Sequence, residues 1–162
     1  LEIVSKLKNL LKLPENLGKA VEELLQKNST QAKEIEKLKA EKAGVLKDEL
    51  KKEITEVNGI NFLAKKVDLD PQGIKTIAFQ LKGEMDNLFL VLCNEANGKA
   101  NITILVSDEL SKSKDLHAGN IVRTLAKEIN GGGGGQPFFA SAGGSNPGGI
   151  DKVLELAKGY IS

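Results

Sequence analysis

The stretch NGGGGGQPFFASAGG, residues 130–144, is hard to place in a folded chain without a chemical reason. Gly131, Gly132, Gly133, Gly134 and Gly135 lose much backbone freedom on ordering, so they are kept where a side chain would be in the way. Asn130 and Gly131 meet the ordinary need for a helix C-cap, and the further glycines exceed it. Three readings stay open: a flexible linker, a packing site where the loop crosses another element, or a nest of backbone N–H groups facing an anion such as phosphate. Ordered-looking sequence resumes at once with Pro137, Phe138 and Phe139, which counts against the linker. A Walker loop would need Lys and Ser or Thr closing the glycines at a helix start, whereas Gln136 and Pro137 follow and the run leaves a helix. A dinucleotide fingerprint would need a strand before it and an acidic residue about 20 positions later.

Catalytic groupings are missing elsewhere. His117 is the single histidine and Cys93 the single cysteine, so neither a disulfide nor a cysteine-built metal site can form within the chain. Cys93 reads as a buried strand thiol and His117 as a residue at a helix start. Ser107, Ser111, Ser113 and Ser141 have no evident base. Asp68 with Asp70, and Asp108 with Glu109, read as caps and turn residues. The residues alone describe a binding or assembly module with no catalytic site and no metal.

The elements that must position the glycine run follow from periodicity. Residues 15–57 hold no proline and two glycines, Gly18 near the start and Gly44, and are dominated by helix formers, which predicts one long helix. Alternating steps of three and four from Val21 meet Leu24, Asn28, Gln31, Ile35, Leu38, Lys42 and Val45, a heptad seam with polar interruptions. Pro14 stands where this helix would start, after a short amphipathic helix in residues 1–13. The exposed seam asks for a cover: the short helix, another part of a parent chain, or a second copy, which is the favoured reading. Asn28 and Lys42 would then set register, the alternative being that they mark where the helix turns outward and is solvated.

After Asn58 the period changes. Apolar runs at 60–67 and 87–93 and partial alternation from Ala100 predict three strands, with a hairpin turn at Asn97-Gly98. Asp70 and Pro71 open a helix to Glu84, a second helix runs from Leu116 to Ile129, and a last one from Ile150 to Ile161. Phe138 to Ala140 form a short strand. The expected class is α+β: a helical stalk and dimerisation subdomain, residues 1–57, a short helix and then a long coiled-coil-like one, followed by a small α/β globular domain, residues 58–162, with a β-sheet covered by helices.

Composition agrees with a modest core: 162 residues, 40% hydrophobic and 28% charged. The net charge is +1, with 12 basic and 11 acidic residues before Asn58 and 11 of each from there on, far from the excess of an autonomous nucleic-acid binder. No run reaches the roughly 20 apolar residues of a membrane span and no secretory pattern opens the chain, so a cytoplasmic setting is expected. The only methionine is Met85, so the chain reads as a piece of a longer protein.

The segment HAGNIVRTLAKEINGGGGGQPFFASAGG resembles the close of the C-terminal domain of alanyl-tRNA synthetases, a glycine-motif domain shared with phosphoesterases of the RecJ type. Ala118, Gly119, Gly131, Gly133 to Gly135, Pro137, Ala140, Ala142, Gly143 and Gly144 match that pattern. Gln136 departs from its usual Arg or Lys, and Phe138 stands where an acidic residue is common. The resemblance implies a domain that holds the elbow of tRNA(Ala), links aminoacylation and editing, and supplies a homodimer contact. It places ATP, Mg and zinc in upstream domains of the parent chain and no cofactor here. On that basis the glycine N–H groups, Gln136, Asn120, Arg123, Lys127, Lys112 and Lys114 are expected to meet RNA phosphates or 2′-hydroxyls. Rival readings are a purely structural oligomerisation module and an accessory nucleic-acid-binding domain of a phosphoesterase.

Overall fold

The computed structural model describes residues 1–12 and 15–162. They form two compact units, Leu1–Lys42 and Ala43–Ser162, so the division falls inside the long helix, upstream of the 57/58 boundary read from the sequence.

In the first unit, helix α1 spans Glu2–Leu10, and α2 begins at Leu17 and continues to Glu53. The proposed start at Pro14 lies outside the described residues; Asn16 caps α2, its Oδ1 accepting from the Lys19 N–H at 3.0 Å. No described residue of this unit is buried. The seam residues Val21, Leu24, Asn28, Ile35 and Leu38 are all exposed, as is Val45 further along α2, so among the described residues nothing covers the stripe.

The second unit is a six-stranded mixed sheet in the order β1-β2-β3-β4-β6-β5. Its strands are β1 (Thr55–Val57), β2 (Ile60–Lys66), β3 (Leu88–Ala96), β4 (Lys99–Val106), β5 (Gly131–Gly135) and β6 (Phe139–Gly144). Only β2 and β3 run parallel, and helix α3 (Pro71–Glu84) connects them. Asp70 Oδ1 accepts from the Gly73 N–H at 2.7 Å ahead of Pro71, as the sequence indicates. Asn97 and Gly98 turn the β3–β4 hairpin with φ of 52° and 72°, the left-handed pair that matches strand twist.

The run LFLVLC is apolar throughout because both its faces are covered. Leu88, Leu90 and Leu92 pack with Ile74, Ile77 and Leu81 of α3 and with Leu50 from the end of α2. Phe89, Val91 and Cys93 pack on the opposite side with Val122 and Leu125 of α5 (Ala118–Leu125) and Val153 of α6 (Ile150–Lys158). The last turns of α2 are also fastened by charge: Lys47 and Lys51 each place Nζ 2.7 Å from a Glu84 carboxylate oxygen.

Four local expectations change. Gly131–Gly135 is not a loop but an edge strand, paired antiparallel with β6. Phe138 lies in the turn before β6 rather than in the strand. The helix expected over 116–129 is α5 followed by a 3-10 turn at Ala126–Ile129. Strand β1 and the short helix α4 (Asp108–Ser113) were not anticipated; the first is signalled by Asn58-Gly59, whose φ of 53° and 78° repeat the hairpin geometry.

Candidate nucleic-acid interface

The glycine run enters β5 from Asn130, which ends the 3-10 turn in the left-handed region at φ 51° and ψ 49°. It leaves through a tight turn in which Gln136 N–H donates to Phe139 O at 2.8 Å. Side chains are excluded for different reasons along the strand. A Cβ on Gly131, Gly133 or Gly135 would overlap the β6 backbone at Gly143 O, Ser141 O or Phe139 O. Packing therefore accounts for these three. A Cβ on Gly132 would have nothing within 4 Å, and one on Gly134 would meet the tip of Arg123, whose Nη2 lies 3.4 Å away. Gly132 has no internal reason to be glycine.

Helix α5 lies against this strand. His117 caps it, with Nδ1 accepting from the Asn120 N–H at 3.2 Å, which gives the lone histidine a structural task. Gly119 allows the close approach: a Cβ there would stand 2.7 Å from Gly135 O. Arg123, one turn beyond Gly119, lies over Gly134, and Asn120 and Lys127 are exposed on the same stretch.

The result is an edge strand with β6 on one side and no strand on the other, exposed at Gly131, Gly132, Gly133 and Gly135. Such an edge presents unpaired backbone donors and acceptors. The Arg123 guanidinium lies over this strand at Gly134. Among the described residues no carboxylate pairs with Arg123, Lys127, Lys112 or Lys114, whereas Lys47, Lys51, Lys65 and Lys66 are each held by a glutamate.

Of the residues singled out in the sequence, the structure brings Arg123 to the glycine strand and sets Asn120 and Lys127 on the segment beside it. Gln136 is exposed at the turn. Lys112 lies on α4 and Lys114 caps it, both exposed, with no bond to β5. Lys75, Phe79 and Lys82 of α3, which reach the rings beside this turn, were missed, although their spacing of four and then three residues marks one helix face.

Cys93 is buried, and burial pushes its thiol up to about 12 against a small opposing pull from Lys66. It is inert at neutral pH. Among the described residues no three His, Cys, Asp or Glu side chains gather as a metal site, and no helix is long and apolar enough to cross a membrane.

A mixed sheet whose last strand is stripped of side chains, flanked by an unpaired arginine and covered by helices on both faces, defines an α+β glycine-motif domain. Residues 59–162 match the DHHA1 domain family, and the chain belongs to that family. It is 49% identical over 159 residues to an alanine–tRNA ligase of Christiangramia forsetii, covering 98% of this chain and 18% of the relative. With an alanine–tRNA ligase of Cytophaga hutchinsonii it shares 39% identity over the same fractions. The chain thus spans under a fifth of the length of these ligases and corresponds to one part of them. The fold is that of the C-Ala domain from Aquifex aeolicus alanyl-tRNA synthetase, with a TM-score of 0.61 at 24% identity over 67% of this chain and 97% of that one.

Proposed function

We propose that this chain is the C-terminal tRNA-contacting and assembly part of a cytoplasmic alanine–tRNA ligase. It holds the elbow of tRNA(Ala) and couples the upstream aminoacylation and editing domains of the same chain. The observation that carries this reading is the bare outer edge of β5, where Gly132 is glycine without any neighbour inside the protein that requires it. Backbone N–H groups and the Arg123 guanidinium beside them suit a ribose–phosphate chain recognised by shape. Gln136, in place of a cation, offers neutral hydrogen bonds.

ATP, Mg and zinc act in the upstream domains under this reading. The thiol and imidazole present do not suit zinc: the one thiol is buried and the one imidazole uses Nδ1 in a helix cap. The chain contributes RNA contact and assembly, and the ligation and editing chemistry lie outside it. A second copy pairing through the exposed seam of α2 accounts for Val21, Leu24, Ile35 and Leu38.

Titration of tRNA(Ala) against the chain and its Arg123→Ala variant tests the reading. The variant is expected to bind more weakly at every salt concentration, and the slope of log affinity against log salt falls by about one. Identical curves for the two proteins, or no binding to either at low salt, would remove the tRNA contact and leave the assembly role.

A further inference from the structure

Three aromatic rings gather where the β5–β6 hairpin meets α3. Phe79 and Phe139 have centroids 5.2 Å apart and planes inclined at 36°. Lys82 Nζ lies 5.0 Å from the Phe138 ring centre and 5.9 Å from that of Phe79. Lys75 Nζ stands 5.4 Å over Phe139. Phe79 is 36% exposed, and Phe138 and Phe139 are half-buried, so the rings reach solvent.

Neither the turn nor the core calls for an aromatic residue at 138. Turn positions favour Pro, Gly, Asn or Asp, for their backbone preferences or their local hydrogen bonds, and Phe138 offers none of these. The core under α3 is closed at this edge by Phe139, not Phe138. The backbone beneath the ring is pinned: Val106 N–H donates to Phe138 O and Ala118 N–H donates to Pro137 O, each at 2.8 Å. The ring is therefore presented on a fixed support, which lowers the ordering cost of binding.

We infer that Phe138 and Phe79, flanked by Lys82 and Lys75, form a stacking platform for an unpaired base of the bound RNA. This rests on the tRNA-contacting role proposed above and specifies a second kind of contact in it. Aromatic rings partnered by ammonium groups suit single-stranded nucleotides, the ring taking the base as the lysine swings from the ring face to the adjoining phosphate. RNA is favoured over a protein partner by the two lysines: Lys82 pairs with Asp108 at 3.3 Å, and among the described residues Lys75 has no carboxylate partner. Continuity favours it too, because the bare strand β5 runs directly into this turn.

The chain contains no tryptophan, so Phe138→Trp installs a single reporter at the platform. Titration with tRNA(Ala) is expected to quench its emission, with a midpoint matching total binding measured separately. Phe138→Leu keeps apolar bulk and the thermal transition, and should weaken binding by at least about five-fold, the lower end of what one base–ring stack supplies. Unquenched emission at saturation, with Phe138→Leu binding as tightly as the parent, would overturn the platform while leaving the glycine-edge contact standing. Absence of any tRNA binding would overturn both.

Discussion

Along β5 the consequence of adding one methyl group alternates. At Gly133 it would overlap Ser141 O and the Ala142 side chain, backbone and core that cannot move away without parting the strands. At Gly132, one residue earlier, it would enter open space. Gly133→Ala is therefore expected to cost about 2 kcal/mol or more, as strained and overpacked sites do, while Gly132→Ala should stay within about 0.5 kcal/mol of the parent. Thermal melting of the pair checks this, and equal losses would show that the glycines serve one common packing purpose. Gly119 belongs with Gly133, since it is what lets α5 approach Gly135.

Elements with strong local signals were legible in the sequence. The β3 run, the Asp70-Pro71 helix start and the Asn97-Gly98 turn each rest on short-range chemistry, and each is found where that chemistry requires. β5 was misread because glycine disfavours strands, and only the small residues of β6 opposite, Ala140, Ala142, Gly143 and Gly144, reveal why it pairs. The same applies to the interface: its glycines and Arg123 could be read from the sequence, but the platform residues of α3 arrive there through tertiary packing. The end of α2 docks through a contact no local pattern shows, Glu84 with Lys47 and Lys51. Those hydrogen bonds, Lys47 first, lower the Glu84 carboxyl from its ordinary 4.5 to about 2. A carboxylate depressed in the folded state stabilises fully above its ordinary range and loses that contribution as pH falls toward its folded value. Stability followed by melting should thus decline between about pH 4.5 and 2 through this group, and Glu84→Gln should flatten that part of the profile. An unaltered profile would mean that the triad is screened by solvent into insignificance.

For the molecule as a whole, two features point outward: the apolar seam of α2 in the first unit and the bare edge of β5 in the second. Pairing through the seam should show in sedimentation as a concentration-dependent rise toward twice the chain mass of 17.4 kDa, abolished by Leu24→Lys with Leu38→Lys. A monomer at all concentrations would rule out pairing through this seam. With a net charge of +1, few counterions are released on RNA binding, so affinity of the chain alone is modest and rises when tethered to other RNA-binding parts. The most direct test of the bare edge is tRNA(Ala) binding by Gly132→Ala at low salt, in a protein that melts with the parent. If the outer face of β5 meets ribose and phosphate, that single methyl lowers affinity by about ten-fold, the loss of one charge-assisted hydrogen bond. If the variant binds as the parent does, Gly132 is not where the RNA lies and the interface drawn along β5 is wrong.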